Sequence, residues 1–233
     1  MSRERILARI RDSLQQTRPV LEAEAARVAH TPPPYVHPPA DDLAVQFAAE
    51  LEKLGGYAHH CASAEAALTT LRSLLHEQHA SSIIAWQFDQ VALPGLAAAL
   101  HEMGVTILDA DIAHTTAAER TARLQTLEPA VVCLSGVDVA IAESGSVGLL
   151  SGSGRARMAS LLAPLHIAVL PVSRIVRGLG EALTLVQQQH GADPFANHGS
   201  LTFITGPSRT ADIEFTLTIG VHGPAQVHVL LIP

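Results

Sequence analysis

Between residues 41 and 134 the apolar residues switch repeatedly from helical spacing to short unbroken runs, and this alternation constrains the fold more than any other feature of the chain. Asp41 or Asp42 can cap a helix that carries Leu43, Phe47, Leu51 and Leu54 and stops at Gly55-Gly56. Ser63 caps a second, with Ala67, Leu68, Leu71, Leu74 and Leu75 on one stripe, before a strand over residues 83–86. Pro94 opens a helix ending near Gly104, and residues 105–108 form the next strand. Thr115 or Thr116 starts a helix to about Leu127, and residues 130–134 read as a buried strand of the parallel type. The expected class is α/β, a mostly parallel sheet with helices on both faces.

Closely spaced strands follow at 137–142, 147–150 and 166–170, then a helix near 179–189 and a strand over 201–205. Ile213, Phe215, Leu217, Ile219 and Val221 alternate with Glu214, Thr216, Thr218, Gly220 and His222, which predicts a half-buried strand, and residues 227–232 close the chain as a buried one. No repeat of 20–50 residues is present. Upstream, residues 3–16 form an amphipathic helix with Ile6, Leu7, Ile10 and Leu14 on one stripe and arginines at 3, 5, 9 and 11. The run Thr31-Pro32-Pro33-Pro34-Tyr35-Val36-His37-Pro38-Pro39 is a stiff extended linker. The expected division is therefore a helical arm (1–30), a Pro-rich linker (31–40) and an α/β domain (41–233). The arm either packs on its own body or reaches a partner subunit, so homo-oligomerisation stays open.

Fifteen Lys+Arg against twenty-two Asp+Glu give a net charge of -7, which argues against nucleic acid as a partner. Cys61 and Cys133 fit no metal-ligand spacing, and two thiols are too few for an iron–sulfur cluster. His59-His60-Cys61 invites a metal reading, but no carboxylate stands at ligand spacing and on a strand the two rings would point to opposite faces. Scattered surface histidine is the preferred account, with no metal site and both cysteines structural. No apolar run is long enough for a membrane span, and residues 1–14 lack the apolar core of a signal peptide, so a cytoplasmic location is expected.

Chemistry concentrates in the segment 142–157. Glu143, at a strand end beside Gly145, is the candidate acid, because ligands of open α/β folds meet the sheet at its C-terminal edge. Its alternative role is to accept hydrogen bonds from backbone amides in a turn. Ser151-Gly152-Ser153-Gly154 with Arg155 and Arg157 can cradle an anion, or can be a plain hairpin with solvated arginines. Ser208, Arg209 and Thr210 form a second loop of the same chemistry, in which Arg209 grips a carboxylate or pairs with Asp212. Two such loops after strands suggest convergence on one anion. His222, near a strand end, is the candidate acid/base or polar orienting group, with a core or turn histidine as the alternative. No serine lies in a GxSxG elbow.

Three blocks, residues 136–146 (Gly-Val-Asp-Val-Ala-Ile-Ala-Glu-Ser-Gly-Ser), Arg157-Met158-Ala159-Ser160-Leu161-Leu162 running to His166, and 206–214 with 220–224, resemble the LUD domain family and within it the lactate utilisation protein C group. Ser144 stands where the family more often has threonine, and Ala156 where a glycine usually precedes the arginine. The resemblance implies a fold like the NagB, ribose-phosphate isomerase and CoA-transferase group. It also implies a part in oxidising L-lactate to pyruvate with iron–sulfur partner proteins. It brings no established catalytic residues. On this reading the chain is a non-redox component that binds a small organic acid and leaves the clusters to its partners. The alternatives are an acyl or CoA transferase in which Glu143 attacks a thioester, by similarity of 143–148 to a Glu-Asn-Gly-x-x-Gly loop, and a small-carboxylate sensor.

Overall fold

A computed structural model describes residues 2–28, 34–111, 116–211 and 217–233. It separates into two compact units, residues 1–34 and 35–233. The first holds helix α1 (Arg3–Val28), which carries the expected stripe but continues past residue 16 and through Pro19. An interior proline costs a helix about 3 kcal/mol, but Leu21, Glu22, Ala23 and Glu24 beyond it are strong helix formers. Arg18 and Glu22 also pair across one turn at 2.9 Å.

The second unit begins with α2 (Leu43–Lys53), β1 (Tyr57–His60), α3 (Ala64–Glu77), β2 (Ser82–Ala85), α4 (Leu96–Glu102), β3 (Thr106–Leu108), α5 (Ala117–Leu127) and β4 (Val132–Gly136). Local chemistry sets the helix starts. The Asp42 carboxylate accepts from the amides of Ala44 and Val45, the Ser63 hydroxyl accepts from Ala66, and Thr116 forms a reciprocal capping box with Glu119. The chain continues through β5 (Val139–Ile141), β6 (Ser146–Ser151), β7 (Leu165–Pro171), β8 (Ile175–Val176), α6 (Leu179–His190), β9 (Ser200–Ile204), β10 (Arg209–Ala211), β11 (Leu217–Ile219) and β12 (Gln226–Ile232).

The α/β expectation holds in a six-stranded sheet ordered β1-β12-β7-β4-β2-β3, in which every neighbouring pair is parallel. All of β4 and all but the end residue of β7 and β12 are buried, as strands covered on both faces must be. β1 lacks an apolar run and is registered by β12, with Tyr57 opposite His228.

The strands after residue 137 do not all extend that sheet. β8-β5-β6-β9 form a separate sheet in which β6 runs antiparallel to β5 and β9. β5 is a wall between two cores. Ala140 faces the main one, whereas Val139 and Ile141, with Leu150, pack on Ala182 and Val186 of α6. The penultimate strand expected from the alternation lies partly outside the described residues, which leave out Asp212, Ile213, Glu214, Phe215 and Thr216. Its described part, β11, pairs with β10 in a two-stranded ribbon. Ile219 and Val221 are 51% and 54% exposed. Among the described residues, no helix is long and apolar enough to cross a membrane.

Candidate functional site

A carboxylate stands at each end of β5, Asp138 before it and Glu143 after it. The strand ends in a 3-10 turn, Ala142–Ser144, closed by Gly145 at φ +60° before β6 folds back. A Cβ on Gly145 would lie 2.3 Å from the Leu51 amide nitrogen. The glycine is thus required by the packing of α2 on the turn, and helix backbone fills the space foreseen for a ligand.

Glu143 is 7% exposed, and its backbone amide donates to the Arg177 carbonyl at 3.2 Å. β8 runs parallel to β5 and so delivers Arg177 and Gly178, the N-cap of α6, to the same place. Gly178 has no side chain with which to cap the helix. Glu181 substitutes from the first turn, accepting the Arg177 amide at 2.7 Å.

The linker closes this end of β5. The Val36 amide donates to Glu143 Oε2 at 2.8 Å. The Tyr35 hydroxyl donates to Glu181 Oε1, and the Arg177 guanidinium stacks on the Tyr35 ring at 3.7 Å while its Nη2 donates to the His37 carbonyl at 2.6 Å. Gly178 leaves room for the contact, since a Cβ there would stand 2.8 Å from the Tyr35 ring and 2.9 Å from Glu143 Oε1. The Tyr35 hydroxyl, and after it the amides at the helix start, hold the Glu181 carboxyl below its ordinary range against desolvation. The same hydrogen bond raises the Tyr35 phenol. Sequence reasoning singled out Glu143 but not Tyr35, Arg177 or Glu181. The available signal was local, an acid three residues after Gly178 at a helix start.

At the other end Asp138 is 2% exposed and saturated. Its Oδ1 receives Arg155 Nη1 at 2.6 Å, its Oδ2 receives the Leu150 amide at 2.7 Å, and His190 Nε2 stands 3.4 Å away. Arg155 also donates from Nε to Gln90 at 2.7 Å and lies over the Trp86 ring. Gly152 and Arg155 exchange backbone hydrogen bonds, Gly154 at φ +70° packs on the Gln87 side chain, and Ser151 is buried in the ladder with β9. Ser153 and Arg157 are exposed. The first predicted anion loop is thus a tight turn whose Arg155 is held by protein groups.

In the second loop Arg209 Nη2 donates to the Leu54 carbonyl at the end of α2, where a cation is favoured. The Ser208 amide donates to Pro224 and its carbonyl accepts from Gly220, which ties Ser208 and Thr210 of the ribbon to the bend holding an exposed His222. Arg155 and Arg209 are therefore held by different protein partners.

One histidine expectation changes. His59 is not a scattered surface ring, since its Nε2 lies 2.9 Å from His228 Nδ1 and both rings stack. Burial lowers His59, and burial followed by His59 pushes His228 down to about 4. His166 is fully buried against Ser135 and is also pushed down to about 4 by desolvation. Both cysteines are free and buried, and burial raises their thiols. Among the described residues no three His, Cys, Asp or Glu side chains group so as to hold a metal ion.

Residues 44–232 match the LUD domain. Lactate utilization protein C of Halalkalibacterium halodurans is 34% identical over 163 residues, covering 69% of this chain and 66% of the relative. The protein of that name from Shouchella clausii is 32% identical over 164 residues, covering 70% and 68%. The matched stretch thus spans about two thirds of the length of these curated relatives. A crystal structure of a DUF162 family protein from Deinococcus radiodurans shares the fold at a TM-score of 0.56 and 22% identity, covering 82% of this chain and 96% of that one. With the family's domain extending across both sheets, from α2 to β12, the chain belongs to the LUD domain family.

Proposed function

We propose that the chain is a non-redox component of an L-lactate utilisation system, acting in the cytoplasm with iron–sulfur partner proteins that oxidise lactate to pyruvate. It holds a small organic acid at the Glu143 end of β5. The observation that carries this reading is the identity of 34% and 32% to proteins named lactate utilization protein C. The cysteine count supports it: a cluster takes about four thiolates, and this chain offers two, both buried. The Glu143 end is preferred because its carboxylate is held by a removable backbone donor, whereas Asp138 is locked. The arm (1–30), linker (31–40) and body (41–233) are proposed as its functional divisions.

A second reading assigns the body to the NagB, ribose-phosphate isomerase and CoA-transferase group, with Glu143 as nucleophile. The same removable donor on Oε2 favours it. Attack of that oxygen on a thioester carbonyl would expel the CoA thiolate and leave an acyl anhydride on the enzyme. A sensor would use the same site without turnover.

Affinity purification from the native host at low salt, with mass spectrometry and an iron assay on the retained material, tests the proposal. The expected result is co-purification of iron–sulfur proteins and lactate oxidation by the mixture but not by the chain alone. A chain that emerges alone and iron-free overturns it, and an acyl adduct on Glu143 that is lost in Glu143→Gln would then establish the second reading.

A further inference from the structure

We infer that Arg177 is the carboxylate anchor of this organic-acid site and that the segment Tyr35-Val36-His37 is its internal competitor, an inference that rests on the acid-binding reading above. The Nε and Nη2 hydrogens of a guanidinium lie along one edge and form a fork that matches the two oxygens of a carboxylate. In Arg177 that fork is half filled. Nη2 donates to the His37 carbonyl at 2.6 Å, while Nε is buried without a hydrogen-bond partner. One carbonyl oxygen satisfies one tine, and a carboxylate would satisfy both.

The rest of the strap follows the same polarity. It offers an acceptor to Arg177 and, from Val36, a donor to Glu143 Oε2 at 2.8 Å. A 2-hydroxy acid carries this pair in one small molecule, its carboxylate for the fork and its hydroxyl for Glu143. The Tyr35 ring lies on the guanidinium face at 3.7 Å, so the strap covers Arg177 on a face as well as an edge, and both are uncovered together when it leaves. The acidic groups of the site are Glu143 and Glu181. Glu181 is engaged by the Arg177 amide at the start of α6, where a twelve-residue helix presents its positive end and offsets that charge. Pro38 and Pro39 restrict the backbone after His37, so the strap can swing as one piece.

Calorimetric titration of sodium L-lactate into the full chain, Val36→Pro and Arg177→Lys tests this, with hydrogen exchange followed at residues 35–37. Proline at 36 removes the amide that holds Glu143, while lysine at 177 keeps the charge and loses the fork. The expected result is about tenfold tighter binding in Val36→Pro and at least about tenfold weaker binding in Arg177→Lys. Saturating lactate should also speed exchange of the Val36 amide in the unsubstituted chain. Equal affinity in all three proteins overturns the inference and leaves the acid-binding reading standing. Lactate binding in none of them overturns both.

Discussion

The two ends of β5 solve the same problem, a carboxylate withdrawn from water, with partners of different origin. Asp138 is matched by Arg155 and the Leu150 amide, both from the hairpin and turn that immediately follow it. Those partners arrive as soon as the second sheet forms and cannot leave without breaking it. Glu143 is matched by Val36, which stands 107 positions away in the Pro-rich linker. That partner can depart while β5, β6 and β8 stay paired. Burial is similar at the two ends, 2% and 7% exposed, so exposure alone does not tell a lock from a gate. The difference lies in whether the neutralising group belongs to the element that carries the acid.

The largest expected effect tests the lock. Asp138→Ala leaves Arg155 with a charge that is 16% exposed and has lost its counter-ion. Breaking such a pair costs about 3–5 kcal/mol, which for a domain of this size lowers the melting temperature by roughly 10 °C. Glu143→Gln keeps an acceptor for the Val36 amide and should cost less than about 1.5 kcal/mol. Thermal melts of the two variants check the order. If Glu143→Gln were the more damaging, the distinction between lock and gate would collapse.

The caps at Asp42, Ser63 and Thr116 were legible in sequence because a cap bonds to amides two or three residues away. Buried parallel strands such as β4 were legible because full burial leaves a continuous apolar run, whereas β1, with no such run, was missed. The loop arginines were visible as charges but not as partners. Arg155 finds Asp138 at 17 residues' separation and Arg209 finds Leu54 at 155, and only the tertiary fold sets such pairings. Glu143 was legible as a strand-end acid. Its companions were not, since a tyrosine between prolines reads as linker and Arg177 has no Gly/Ser-rich flank. The split into two sheets also escaped the sequence, because β5 and β6 alternate no differently from strands of the first sheet.

Acid should act first on the parallel sheet that carries His166 and His228. His166 and His228 are held down to about 4, while an unfolded histidine takes its proton near 6.5. Below pH 6.5 the unfolded chain therefore binds protons that the folded one refuses. Stability is full above about pH 6.5 and falls as pH drops toward 4, by up to about 1.4 kcal/mol per pH unit for each ring. At pH 5.5 the two together cost roughly 3 kcal/mol on this scale. His198 is lowered in the same direction, by burial first and then by His190 and Arg155, and it places part of the acid sensitivity at the Asp138 end. The strap takes only the carbonyl of His37. Denaturant melts from pH 8 to 5 should show the decline, and His228→Gln should flatten it. An unchanged slope in that variant would remove His228 from the account.

The smallest effect falls on the gate itself. Tyr35→Phe removes the hydroxyl that donates to Glu181 and keeps the ring that lies on Arg177. Tyr35 is 46% exposed, so the lost bond is replaced by water and the melting temperature should not move measurably. The strap, however, loses one of its four attachments, and the remaining three involve Arg177 and Glu143 alone. Exchange at the Val36 amide should therefore quicken several-fold while the Leu150 amide on Asp138 keeps its protection. Faster exchange at both ends of β5 would mean that the strap is continuous with the fold and that the gate is only a weaker lock. Faster exchange at 35–37 alone would show that the linker samples an open state in which the Arg177 fork and the Glu143 carboxylate meet solvent together.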